Sequence, residues 1–541
     1  MELVCPAGNI DKLTYAYAYG ADTAYIGLKR FSLRIKADNF YEDEYKRVIE
    51  LKKKYPEKRL FCALNIAFHN HDLKMFLQNL DYFKQYPIDA FIVQDLGLVP
   101  ILQKEFPNTH LHLSTQASCM NKEAVKMYHS LGFKRVVLGR EVSLNEIREI
   151  KDACPDMELE CFAHGAMCIA YSGRCLMSAY LTGRSAQSGF CSHSCRWEYD
   201  LGVVRSEERG NRNSEGESLP PGLQSSISAT PPSPGEEPPS PPSHISSLKE
   251  LNEKGGIITA EAAKEIAQSG ILRLQERQRP GEFFPVFEGD DFTAILSSKD
   301  LCMIDHLADM KAAGVDAIKV EGRMKSTYYV AMVSRAYRKA LDALEGKISA
   351  EEAAPFIASL EDVAHRESTT GFYYNRGNAD KTTIGASDSP YLLAASLGEA
   401  LSSEETNKIF EAGEKLLKDR EAELEAMHPE ARKAALRDLE MHPEKKIKIA
   451  EKHEGWKVYP YDALNRVDSG TELEFVSPSV LAQKVSGSEY EFINPKTGEK
   501  LDWVNADHDC AIYTAVKIEE NTLVRVKDPD FVEGEIRDRG R

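Results

Sequence analysis

No stretch of this chain stays apolar for the roughly 18 residues that a membrane-spanning helix requires, so a membrane protein is not expected. Eleven cysteines in 541 residues, an odd count, are far too few for a disulfide-stapled secreted domain. The opening residues Met1 to Pro6 show neither a basic n-region nor an apolar h-region. The expected compartment is therefore the cytoplasm, where thiols stay reduced and can bind metal. Basic charge is also scarce: the net charge of −17 argues against a nucleic-acid coat and leaves room only for a local basic groove. His-Glu-x-x-His and Gly-x-Ser-x-Gly are both missing, which removes two familiar hydrolase signatures.

What is present is a rhythm. Short runs rich in β-branched and aromatic residues recur at Glu2 to Cys5, Thr23 to Gly27, Leu60 to Asn65, Ala90 to Gln94, His110 to Ser114, Arg135 to Leu138 and Leu159 to Ala163. Amphipathic segments such as Tyr41 to Lys53 and Lys122 to Leu131 separate them. After an interruption the pattern resumes, with strands expected at Ala294 to Ser297 and Ala317 to Val320 and a helix at Ile304 to Ala313. Repeated βα units predict an α/β fold, a TIM-like βα barrel.

Composition divides the chain further. The barrel's first part spans 1–203 and its second part 279–400. Between them, 204–278 centres on the Pro/Ser-rich run from Thr230 to Ser243, which predicts a largely disordered insertion with one helix, capped by Thr259, from Ala260 to Gln268. Residues 401–454 are rich in Ala, Glu, Lys and Leu and predict a charged helical spacer, broken where Met-His-Pro-Glu occurs at 427–430 and 441–444. From 455 to 541, short alternating runs and turn signals predict a small C-terminal β domain, barrel-like in kind.

The chemistry concentrates in four cysteines. Six residues separate Cys168 from Cys175, fifteen separate Cys175 from Cys191, and three separate Cys191 from Cys195. The stretch follows the seventh expected strand, so it emerges with His164 at the C-terminal face of the barrel, where catalytic groups of such folds gather. Structural zinc usually takes two close pairs of ligands; these looser spacings suit an iron–sulfur cluster better, with zinc and buried unligated thiols as the other readings. Cys302, just past the expected strand at Ala294 to Ser297, competes with Cys195 as fourth ligand.

Glu160-Cys-Phe162-Ala-His-Gly165-Ala-Met-Cys168 with Gly173-Arg-Cys175-Leu-Met-Ser178 resembles the signature of the collagenase-like peptidase family U-32. Similarity extends through Pro6-Ala-Gly8-Asn9, Ser114-Thr-Gln116, Arg140-Glu141, Cys195-Arg-Trp197, Lys319-Val-Glu-Gly-Arg323 and His365-Arg366 and covers about residues 1 to 375, minus the insertion. Within the family, the chain is most similar to the proteins that hydroxylate the wobble uridine of tRNA. The resemblance implies an iron–sulfur protein, with a 4Fe–4S cluster held by Cys168, Cys175, Cys191 and Cys195. It also implies an oxygen-independent hydroxylation of tRNA that uses prephenate. Older members were described as collagen-degrading proteases, so a peptidase and a non-catalytic scaffold stand as alternatives.

A dianionic acid such as prephenate needs fixed cations, and guanidinium holds carboxylates bidentately. Arg34, Arg140 and Arg323 each follow an expected strand and are the candidates, the bland reading being salt bridges to Glu141 and Glu321. His164 is either a base beside Cys168 or a residue satisfied at a strand end. For RNA, Lys29, Arg30, Arg34 and Lys36 with Phe31 and Phe40 form either a phosphate- and base-contacting loop or a loop packed by its own aromatics. Oligomeric state is not legible.

Overall fold

Buried runs that alternate with amphipathic segments favour parallel strands joined by crossover helices, and the computed structural model closes them into a ring. It describes residues 1–28, 31–33, 38–168, 170, 172, 174–175, 177, 191, 273–275, 283–285, 287–288, 293–294, 298–374, 389–442 and 446–531. Strands β1 (Glu2–Pro6), β2 (Thr23–Ile26), β3 (Arg59–Leu64), β4 (Ala90–Val93), β5 (His110–Leu113), β6 (Arg135–Val137) and β7 (Glu158–Ala166) pair in sequence order, all parallel. The eighth strand, Ala317–Val320, pairs in parallel with both β7 and β1 and closes the barrel.

Of the strand expected at Ala294 to Ser297, only Ala294 is among the described residues. Thr293–Ala294 pairs with Phe287–Glu288. Asp300–Cys302 lies antiparallel on the end of β7, with Cys302 opposite His164. Residues 196–297 form a unit of their own, which contains that hairpin and a second one joining Arg273–Gln275 to Phe283–Pro285. The Pro/Ser-rich run and the helix expected at Ala260 to Gln268 lie outside the described residues.

Local sequence sets where the helices start. Asn9, Asn121, Ser143 and Ser326 each accept the backbone N–H three residues on, caps worth about 1 kcal/mol apiece. In Leu144–Ala153, Leu144, Ile147 and Ile150 form the buried stripe against the barrel. The 18-residue helix Thr327–Leu344 is buried along most of its length.

Inside the ring, Val4, Tyr25, Phe61, Ala90, Ile92 and Ala317 form one apolar cluster. Toward the N-terminal ends of the strands a charged plug replaces it. Arg135, 1% exposed, meets Glu160 at 2.9 Å and also Glu2 and Glu158 at 2.5 Å; Arg59 joins Glu2 at 2.5 Å, and Lys319 meets Glu160 at 2.6 Å. Such a network is stable only while every charge is matched.

The C-terminal sheet has seven antiparallel strands and begins earlier than composition implies. Tyr391–Leu397 pairs with both Lys457–Ala463 and Leu523–Lys527. The helices Ser403–Ala426 and Pro429–Met441 are therefore inserted between two neighbouring strands of one sheet, with Pro429 at the first position of its helix. Two arginines bind sheet and barrel reciprocally. Arg335 of the long helix donates to the carbonyls of Ser477 and Val480, both at 2.7 Å, while Arg525 of the sheet reaches Asp362 and the Tyr328 hydroxyl, both at 2.7 Å.

Candidate functional site at the barrel mouth

The loops that follow the strands meet around a cavity of about 60 Å³ at the C-terminal end of the barrel, lined among others by Tyr25, Asn65, Gln116, Arg140, Lys319, Glu321 and Arg323. Three cations face one carboxylate there. The Arg140 guanidinium lies 3.7 Å from the centre of the Phe162 ring and 3.4 Å from Glu321 Oε2, geometry that holds it flat against the wall. Arg323 is 3% exposed, and its Nη2 donates to Ser32 Oγ at 3.1 Å. Lys319 rises from the charged plug to the cavity, with its ammonium 4.2 Å from the Tyr25 ring centre. Burial alone would raise the Glu160 carboxyl beneath it, but Lys319 and Arg135 override burial and hold it below the ordinary carboxylate value.

Arg140 and Arg323 line the same cavity, and Glu321, not Glu141, is the ion partner of Arg140. Lys319, to which the sequence pattern assigns no role, lies inside the four-residue eighth strand, and a lysine at such a position is the signal that marks it. Arg34, Lys29, Arg30 and Lys36 lie outside the described residues. Phe31 and Phe40 are 3% and 0% exposed, and Phe31 packs 5.6 to 5.9 Å from Phe68, Phe76 and Phe83. These two rings are core, and a base does not stack on them.

His164 stands apart from the arginines. The register of β7 against the eighth strand slips there, from Phe162↔Lys319 to His164↔Val320, so the bulge turns the imidazole from the mouth toward the long helix. Its Nδ1 lies 3.4 Å from the Tyr337 hydroxyl, which donates to the Ala163 carbonyl at 2.8 Å. Burial lowers its pKa to about 4. The next residue, Gly165, has φ +103°, and a Cβ there would stand 2.5 Å from the Glu321 carbonyl oxygen, so the bulge requires glycine.

Cysteine accessibility separates into two sets. Cys168 is exposed and Cys175 and Cys191 are half-buried, whereas Cys5, Cys62, Cys119, Cys154, Cys161 and Cys510 are buried. Burial pushes the Cys5, Cys62 and Cys119 thiols up to about 12. Cys302 is half-buried, 4.0 Å from the Tyr337 hydroxyl in the pocket of His164, and burial raises its thiol too. Cys195 lies outside the described residues, and among the described residues no three His, Cys, Asp or Glu side chains gather as a metal site. The loop after β7 is nevertheless where open thiols occur, and thiolate is the ligand type that iron–sulfur clusters take. No helix among the described residues is long and apolar enough to cross a membrane.

Several known proteins are similar to this chain in sequence. The chain is 37% identical to tRNA hydroxylation protein P of Escherichia coli (strain K12), over 69% of this chain and 74% of that one. It is 32% identical to tRNA hydroxylation protein P1 of Bacillus subtilis (strain 168), over 71% and 73%. It is 30% identical to a 23S rRNA 5-hydroxycytidine synthase of Escherichia coli (strain K12), over 74% of this chain and 49% of that one. Residues 8–383, the barrel with its mouth and thiol loop, match peptidase family U32. The chain belongs to peptidase family U32.

Proposed function

We propose that this chain is an RNA hydroxylase that acts on a uridine of tRNA and takes its hydroxyl group from a small dianionic acid, prephenate or a close analogue. The observation that carries the reading is the set of three cations, Arg140, Lys319 and Arg323, around one cavity at the mouth of a barrel whose next loop bears the open thiols. Relatives named for tRNA and rRNA hydroxylation support the choice of RNA as substrate.

In this reading Arg140 and Arg323 hold carboxylate, with Lys319 as a point charge between them. Phe162 and Glu321 keep the Arg140 plane in one orientation, while the Asn65 and Gln116 amides supply neutral hydrogen bonds. About 60 Å³ admits a carboxylate group but not a whole cyclic acid, so the body of the acid would sit above the cavity, toward the RNA. Cys168, Cys175, Cys191 and Cys195 would hold a 4Fe–4S cluster, which when bound supplies electron transfer or Lewis acidity beside that acid.

The peptidase reading asks for a base beside the Cys168 nucleophile. His164, the nearest imidazole in sequence, is buried against Tyr337 while Cys168 is exposed, and burial makes it a weak base, which weighs against it in that role. The deciding experiment is nucleoside mass spectrometry of tRNA from a deletion strain, complemented with this chain, beside iron and sulfide analysis of anaerobically purified protein. Hydroxyuridine lost on deletion and restored by the chain is the expected result. Unchanged hydroxyuridine, or peptide cleavage that persists in pure protein and vanishes in Cys168→Ala, would sink the proposal.

A further inference from the structure

Between Cys168 and Cys175, one residue is gripped at three backbone and side-chain atoms. Ser172 is 5% exposed; its amide N–H donates to Glu141 Oε1 at 2.8 Å, and its hydroxyl lies 3.3 and 3.2 Å from the two carboxylate oxygens of Glu141. The Arg140 amide reaches the same hydroxyl oxygen at 3.4 Å, and the Ser118 hydroxyl donates to the Ser172 carbonyl. Arg174 Nε adds a contact to Ser118 Oγ at 3.3 Å.

Two independent features maintain this grip. Ser118 has φ 52°, in the left-handed region that non-glycine residues seldom occupy, so its side chain is aimed at a conformational cost. At Gly139, a Cβ would stand 2.8 Å from Glu141 Oε2 and 3.0 Å from Met120 Cγ, so the carboxylate occupies space that only glycine leaves open. The dipeptide Arg140–Glu141 therefore faces two ways. Arg140 lines the cavity, and its neighbour holds the thiol loop.

We infer that Glu141 and Ser118 are positioning residues, which fix Ser172, between Cys168 and Cys175, beside the backbone that carries Arg140. The loop's use as a cluster holder rests on the function proposed above; the grip itself does not. The test compares full-length wild type, Glu141→Ala, Glu141→Gln and Ser118→Ala by hydrogen exchange in the metal-free state and by iron retention against a chelator after anaerobic loading.

Loss of charge-assisted hydrogen bonds should speed exchange of the peptide carrying Cys168 to Cys175 by about tenfold in Glu141→Ala, with β3 unchanged and Glu141→Gln largely restored. Iron retention should weaken by about tenfold in the same variant. Equal exchange in wild type, Glu141→Ala and Ser118→Ala overturns the inference, as does unchanged iron retention where wild type holds iron. If wild type binds no iron, the cluster reading fails while exchange still decides the grip. If Glu141→Ala does not fold, Ser118→Ala carries the same comparison.

Discussion

The Lys319 ammonium lies 2.6 Å from the Glu160 carboxylate, and both are nearly sealed from solvent, at 4% and 0% exposure. Through Arg135, at 2.9 Å from the same carboxylate, the cation that lines the mouth is tied to the floor of the barrel.

Replacing that carboxylate takes the ion partner from Lys319, while Arg135 keeps Glu2 and Glu158. Glu160→Gln should lose about 3–5 kcal/mol of stability in urea titration at neutral pH, because an orphaned buried charge costs more than its pair contributes. Adding Lys319→Met should restore part of the loss. The folded protein holds the Glu160 carboxyl below its ordinary 4.5, so this contribution is complete above pH 4.5 and vanishes as pH falls through the lower, folded value. The variant should therefore lose less stability than wild type on acidification from neutral pH. An equally steep acid decline would place the titration elsewhere.

His164 titrates with the same sign for a different reason. Burial lowers it from 6.5 to about 4, so between those values the unfolded chain binds the proton more readily. Stability linked to His164 is full above pH 6.5 and declines toward pH 4, by about 3 kcal/mol if the whole shift is realised. His164→Gln, which keeps a hydrogen-bonding group for Tyr337, should flatten that decline in denaturant titrations at pH 7 and pH 5. It should also retain hydroxylation in cells, since the imidazole is turned from the mouth.

Arg140→Met should reduce tRNA hydroxyuridine by about tenfold to a hundredfold, the loss expected when one charge-assisted contact to an anion is removed. Arg140→Lys should fall between, because a point charge does not reproduce the stacked fork over Phe162. Nucleoside analysis of complemented strains reads both.

Substituting Cys168, Cys175 or Cys191 by Ala should abolish iron binding in anaerobic preparations. Cys302→Ala should leave it intact, since that thiol faces Tyr337 and is raised by burial. Iron lost in Cys302→Ala but kept in Cys195→Ala would reverse the choice of fourth ligand.

The barrel was legible because its signal is local. Seven strand positions follow from short apolar runs, and four helices start at a cap, Asn9, Asn121, Ser143 or Ser326, three residues ahead of the amide that it satisfies. The start of the C-terminal sheet was not legible. Tyr-Leu-Leu-Ala-Ala-Ser-Leu at 391–397 does not alternate clearly, and its partners Lys457–Ala463 and Leu523–Lys527 lie on the far side of two helices.

By itself, the sequence determined the repeated βα units, the thiol-bearing loop after the seventh strand and the arginines at strand ends, because periodicity and position along a strand are properties of neighbouring residues. Only the tertiary structure decided which of those groups meet. A one-residue slip between β7 and the eighth strand turned His164 from the mouth, pairing of those two strands brought Lys319 to Glu160, 159 residues away, and pairing of β6 with β7 brought Glu141 to Ser172. Such contacts depend on which strand pairs with which, and no window of the chain contains that information.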